Sequence, residues 1–170
     1  MKGIKFLTRT ALILALTVAF QMIRPLLSLP PLMSNYIVGS LVNASLAVAS
    51  VLVGAWSGIV ISIFAPVIAL MQQHIVFPWL VPIIAGGNIV FVLIYGWWYR
   101  KNKGVGILLA SVLKFSFLYF LVSTAVRILV VPEPAASTLS LMFGWPQLVT
   151  AVAGGLAALP VIKRIGGEDI

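Results

Sequence analysis

The sequence predicts an all-α membrane protein with six transmembrane helices, and three observations lead to this fold class. Of the 170 residues, 62% are hydrophobic and only 8% are charged, whereas soluble domains carry roughly 25% charged residues. The apolar residues form six segments, most of them near the roughly 20 residues that a helix needs to cross a bilayer. Prolines, glycines or polar clusters separate these segments. We expect a single transmembrane domain over residues 1–170, in a cell membrane that the chain crosses several times.

Each predicted span ends at a break in the apolar sequence. Three prolines lie in a first outer loop at residues 24–34, and glycines bound a tight turn at residues 54–58. Polar residues open a second outer loop at residues 72–79, and Pro132 and Pro134 follow the fifth span, because proline breaks a helix interior. The predicted spans cover residues 4–27, 35–53, 57–72, 80–99, 105–130 and 145–163, with a short helix at 138–143 before the last span.

The basic residues predict the orientation, because cytoplasmic loops of membrane proteins are enriched in Lys and Arg. In the six-span arrangement only Arg24 and Arg127 approach the opposite side, so both termini are predicted to be cytoplasmic. We interpret the net charge of +8 as an orientation signal and as contacts with membrane lipid, and we do not expect nucleic acid as a partner. The basic residues on the predicted cytoplasmic side are Lys2, Lys5, Arg9, Arg100, Lys101, Lys103, Lys163 and Arg164.

The inventory of reactive side chains argues against an enzyme. The chain has no cysteine, one histidine and three acids. Glu168 and Asp169 lie at the end of the chain, and His74 and Glu133 belong to different predicted outer loops. Proton transfer and metal-assisted chemistry need such groups close together, so we expect neither catalysis, a metal site nor a cofactor.

Polar and aromatic residues are concentrated in the predicted extracellular half of the chain. Such groups gathered at one mouth suit a small polar organic ligand. Asn43 and Asn88 lie within the second and fourth spans, where hydrogen bonds between helices are an adequate alternative explanation. The candidate ligand-binding residues are Tyr36, Asn43, Gln73, His74, Trp79, Asn88 and Arg127.

Lys114 lies inside the fifth predicted span, where a charged group costs about 2.5 to 3.5 kcal/mol on insertion scales. Three interpretations are open at this stage. The side chain could snorkel to the cytoplasmic head groups along its alkyl stem. It could also meet an anionic group of a ligand, or a polar partner inside the helix bundle.

Small residues form a line on the first span. Ala11, Ala15 and Ala19 are four residues apart, so in a helix they lie along one face. Alanine lets another helix approach closely, and close approach drives helix association in lipid. We expect this face to contact a helix of a partner protein, the alternative being packing inside the same bundle.

With these features together, the chain resembles the S components of energy-coupling factor (ECF) transporters, small membrane proteins that capture a vitamin or related micronutrient. The segments GSLVNA and GWPQLVTA look most like the group assigned to cobalamin. The resemblance is carried by three stretches: ALILALTVA, VGSLVNASLAVASVLVGAWSGIVISIFAPVIAL and FGWPQLVTAVAGGLAALPVI.

The resemblance implies specific partners and a site. In the family, an AxxxA pattern on the first helix packs against a transmembrane coupling subunit that two ATPase subunits drive, and Ala11, Ala15 and Ala19 match this pattern. The ligand of the family lies near the outer face, beneath the loops that join spans 1 to 2, 3 to 4 and 5 to 6. The chain contains no glycine-rich phosphate loop, so ATP chemistry would belong to the partner subunits.

Two other classes of protein stay open on the sequence alone. A small self-contained carrier or channel would need a continuous polar path or an acid within the membrane, and the predicted spans contain no Asp or Glu. A structural or assembly protein of the membrane is the other alternative.

Overall fold

The computed structural model describes residues 2–26 and 29–166. Within these residues the regular elements are all helical, which confirms the predicted all-α class. A 3₁₀ turn at Arg24–Leu26 follows the first helix, and a π-helical segment at Ala49–Val53 continues the second. The α-helices are α1 (Lys2–Met22), α2 (Pro31–Val48), α3 (Ala55–Met71), α4 (Leu80–Tyr99), α5 (Lys103–Ile128), α6 (Glu133–Phe143) and α7 (Trp145–Gly166).

Five helical segments of the described chain are long and apolar enough to cross a membrane, judged by length and composition. They contain α1, α2, α4, α5 and α7. Helix α3 is apolar but shorter, at 17 residues. The predicted fourth span coincides with α4, and the others differ from the observed helices by a few residues at their ends. The predicted end of the first span at residue 27, and Glu168 and Asp169, lie outside the described residues.

Two predicted boundaries were wrong, each for a local reason. The turn predicted over residues 54–58 is reduced to Gly54, whose φ of 122° is a backbone conformation that other residues rarely adopt, and α3 begins at the next residue. The short helix predicted at 138–143 begins earlier, at Glu133. Pro134 lies in its first turn, where the missing N–H of proline costs no hydrogen bond.

The helices approach each other through glycines. At Gly154 of α7, a Cβ atom would lie 2.5 Å from the backbone oxygen of Ser40 on α2. At Gly87 of α4, a Cβ would lie 2.7 Å from the side chain of Leu118 on α5. Lipid supplies little hydrophobic drive for helix association, so backbone contact at such glycines stabilises the bundle.

The half of the bundle nearest the basic residues is a packed apolar core. Its members come from α2, α3, α4, α5 and α7 and from the π-helical segment between α2 and α3. The Tyr95 hydroxyl is satisfied there, because it donates to the carbonyl oxygen of Gly155 at 2.9 Å. The large core side chains are Leu46, Phe91, Tyr95, Ile107 and Ile162, all at most 4% exposed.

The orientation prediction can be tested with single cysteines, because the chain has none of its own. Lys101→Cys lies in the basic turn between α4 and α5, and Ser137→Cys is a near-isosteric change at an exposed position of α6. We expect a membrane-impermeant maleimide to label Ser137→Cys in intact cells and Lys101→Cys only after the membrane is opened. The reverse pattern would contradict the prediction of cytoplasmic termini.

Candidate functional site

A cavity of about 370 Å³ occupies the half of the bundle opposite the basic residues. Its walls are mostly apolar, with side chains such as Val38, Leu80, Ile84 and Leu139. Residues of α6 and of the 72–79 segment between α3 and α4 line its outer part. The cavity is therefore largely apolar, and polar groups contribute to its lining at a few positions.

Lys114 lies at the deep end of this cavity, near the middle of α5. Its Nζ donates to the amide oxygen of Asn43 on α2 at 2.5 Å and to that of Asn88 on α4 at 2.7 Å. The Lys114 side chain is only 3% exposed, and its Nζ lies 5.5 Å from the centroid of the Phe91 ring. Of the three interpretations of this lysine, snorkelling to the head groups is therefore wrong, and the polar contact inside the bundle is confirmed.

The two asparagines are held in place by other helices. The Asn43 side-chain nitrogen donates to the Thr150 hydroxyl on α7 at 3.5 Å, and this hydroxyl donates to the carbonyl oxygen of Gln147 at 3.2 Å. Because its nitrogen is engaged by α7, the Asn43 amide presents its oxygen to Lys114. Four helices thus meet in one buried hydrogen-bond network at the base of the cavity.

A second polar group lies toward the outer end of the cavity, where α1 ends. Gln21 donates to the carbonyl oxygen of Ala65 at 3.1 Å, and Arg24 donates to the side-chain oxygen of Asn35 at 3.3 Å. Three further polar atoms of these side chains, Gln21 Oε1, Arg24 Nε and Asn35 Nδ2, are buried without a hydrogen-bond partner among the described residues. A buried polar atom without a partner costs about 1 to 3 kcal/mol, so these three atoms are suited to a polar ligand.

His74 belongs to the same outer end of the cavity. Partial burial, and secondly the charge of nearby Arg24, lower the pKa of the His74 imidazole below its usual range. A lower pKa favours the neutral imidazole, in which one nitrogen can donate a hydrogen bond and the other can accept one.

The cavity is basic as well as apolar. Its lining includes the basic side chains of Lys114 and Arg24, and within residues 2–26 and 29–166 no Asp or Glu lines it. Within the same residues, no group of three or more His, Cys, Asp or Glu side chains is placed to hold a metal ion. The arrangement can bind and orient a ligand by hydrogen bonds and charge.

The structure brings three of the seven predicted ligand-binding residues together at the cavity, namely Asn43, His74 and Asn88. The other four lie outside its lining. Gln73 and Arg127 are exposed on the surface, Tyr36 is partly buried, and Trp79 packs in an apolar cluster beside the cavity.

Three further polar residues of the cavity lining, Gln21, Asn35 and Gln147, were not predicted from the sequence. One available signal was the spacing of Gln21 and Arg24, which places two polar side chains on one side of an apolar helix end. A second signal was that Lys114, Asn43 and Asn88 lie at similar depths within their predicted spans. Neither signal says which helices are neighbours.

The alanine line lies on the outside of the bundle. Ala11, Ala15 and Ala19 are all exposed, whereas Thr10 and Gln21 on the other side of α1 are buried and hydrogen-bonded to α3. The side of α1 that packs within this chain is thus the polar one, and packing of the alanine line inside the same bundle is excluded.

We compared the chain with family models, with curated proteins and with solved structures. None of these three comparisons gives a match to this chain.

Proposed function

We propose that this chain is the substrate-binding S component of an ECF transporter, which captures a vitamin or related micronutrient at the extracellular side. The observation that supports this best is the cavity of about 370 Å³ at the end of the bundle opposite the basic residues. With the orientation predicted from those residues, the cavity opens toward the outside. A ligand would bind there without ATP.

The exposed alanine line supports the second part of this proposal. A face of small side chains that the chain itself leaves uncovered permits a partner helix to approach closely. We propose that Ala11, Ala15 and Ala19 contact a transmembrane coupling subunit, which two ATPase subunits drive. The ligand cavity and this face lie on different parts of the molecule, so capture and coupling can be separated by mutation.

The size of the cavity bears on the choice of ligand. A volume of about 370 Å³ is at the lower end of the roughly 300 to 1,000 Å³ of drug-sized ligand sites. A corrinoid such as cobalamin is larger than this volume. The proposal therefore favours a smaller vitamin-like molecule over the cobalamin assignment that the sequence suggests.

A self-contained carrier or channel receives less support. Either would need polar groups that continue from the cavity to the cytoplasmic side. Beneath Lys114 the bundle is instead filled by the apolar and aromatic core around Phe91 and Tyr95. The Tyr95 hydroxyl in that region is already bonded to a backbone carbonyl.

The proposal is tested by association. The affinity-tagged chain is coexpressed with the coupling subunit and the two ATPase subunits encoded in the same genome, and solubilised in mild detergent. We expect all three subunits to co-purify with it, and the assembled complex to hydrolyse ATP. A tagged unrelated six-helix membrane protein serves as the control. Failure of the coupling subunit to co-purify above that control would contradict the proposal.

A further inference from the structure

We propose that the ligand of this cavity is a small organic acid, whose anionic group accepts a hydrogen bond from Lys114 at the deep end of the cavity. The inference rests on the proposed function for the biological role of the ligand, and it deepens that function by naming the substrate class. Its physical basis is the surroundings of one buried amine.

The burial of Lys114 is the first feature that indicates an anion. Lys114 is 3% exposed in the middle of an apolar bundle, and removing an ammonium group from water is costly unless a negative charge compensates it. Its two hydrogen-bond partners are neutral amide oxygens. The only acid within the described residues is Glu133, which is exposed at the start of α6. The protein therefore supplies dipoles to this lysine, and a bound anion would supply the missing charge.

The geometry around the Lys114 Nζ is the second feature. An ammonium group has three N–H donors, and Asn43 and Asn88 accept two of them. Lys114 also lines the cavity, so a ligand oxygen in the cavity can accept the third. The asparagines fix the position of the nitrogen, and Thr150 fixes Asn43 in turn. The lysine is thus preorganised, so little conformational entropy is lost when an anion binds.

The walls of the cavity indicate what is attached to the acid. Between Lys114 and the outer end, the lining is apolar, with residues such as Val38, Val42 and Ile84. At the outer end, Gln21 Oε1 offers an acceptor, and Arg24 Nε and Asn35 Nδ2 offer donors. The matching ligand carries its anionic group at one end, an apolar middle, and a polar group that both donates and accepts hydrogen bonds at the other.

A carboxylate matches the deep end better than a phosphate does. One lysine with two amide oxygens beside it presents a single positive charge. The amide oxygens would repel the further negative charge of a phosphate dianion. Arg24 cannot compensate that charge, because it lies at the other end of the cavity. A monoanionic carboxylate balances the Lys114 charge without an excess.

The test compares acids with their uncharged counterparts on the purified full-length chain in lipid nanodiscs. The probes are matched pairs that differ only in the charged group: nicotinate and nicotinamide, lipoate and lipoamide, biotin and biotinamide, and benzoate and benzamide. Equilibrium dialysis gives the affinity for each member. We expect at least one acid to bind about tenfold or more tightly than its amide. Failure of every acid to bind at millimolar concentration, or equal binding of acids and amides, would overturn the inference.

Variants locate the anion. Lys114→Gln keeps a hydrogen-bond donor near the asparagines but removes the charge, and we expect the preference for the acid to disappear. Lys163→Gln makes the same chemical change at an exposed position of the distant basic end, and we expect the preference to stay. Loss of the preference in Arg24→Gln but not in Lys114→Gln would place the anion at the outer end and overturn the inference. The wild-type comparison stands even if a variant fails to fold.

The outcomes for the inference and for the proposed function can be told apart. A Lys114-dependent preference for acids in a chain that does not associate with coupling subunits would leave the inference standing and contradict the ECF role. Association with those subunits, together with equal binding of acids and amides, would support the ECF role and overturn the inference.

Discussion

Replacing Ala15 with tryptophan should abolish ATP-driven uptake of the ligand while binding by the isolated chain stays unchanged. Ala15 is the central residue of the exposed alanine line on α1. An indole ring there would hold a partner helix several ångströms away, and close backbone approach is what stabilises helix pairs in lipid. The cavity is built from other surfaces, so its affinity for ligand should be preserved.

The measurement is uptake of radiolabelled ligand by cells that coexpress the coupling and ATPase subunits, alongside ligand binding to the purified variant. Leu156→Trp is the matched control, because Leu156 is also an exposed residue of an apolar helix, 52% exposed on α7, and lies on a different helix. We expect that variant to transport normally. Normal uptake by Ala15→Trp would refute the coupling role of the alanine line, and loss of ligand binding would show that the change disturbs the bundle itself.

The fold could be predicted from the sequence because its signals are local. Proline, glycine and charge mark where each helix ends, and the fourth predicted span coincides with Leu80–Tyr99. The errors arose where one residue has a special backbone role. Gly54 turns the chain alone, and Pro134 lies in the first turn of a helix that it was predicted only to precede.

The site could be predicted only in part, because its residues are brought together by helix packing. Lys114 is 71 residues from Asn43 and 26 from Asn88, and the apolar patterns around them do not say which helices are neighbours. A helix in lipid can be apolar on every side, so the usual amphipathic signal for the inner face is weak. The outer-loop residues Gln73 and Arg127 were chosen for their chemistry, and the structure places both on the surface.

The contact between α2 and α7 should be the most sensitive to added volume, and Gly154→Ala tests it. The new Cβ would lie 2.5 Å from both the Ser40 backbone oxygen and the Asn43 Cβ, and 2.9 Å from the Ala44 backbone nitrogen. Backbone atoms cannot rotate away, so the two helices must separate. Overpacking of this kind typically costs about 1 to 3 kcal/mol. We expect a lower unfolding temperature in detergent.

The same change should weaken ligand binding, because Asn43 sits at the point of contact and holds Lys114 by a hydrogen bond. Gly96→Ala is the matched control: its Cβ would meet Ser50 at 3.5 Å, an ordinary van der Waals distance. Alanine also favours the helix by about 1 kcal/mol relative to glycine in water, so this variant should unfold at or slightly above the wild-type temperature. If both alanine variants unfold at the same temperature as the wild type, α2 and α7 do not meet at Gly154. A drop in stability with unchanged ligand affinity would mean that the packing of α7 does not position Asn43 and Lys114.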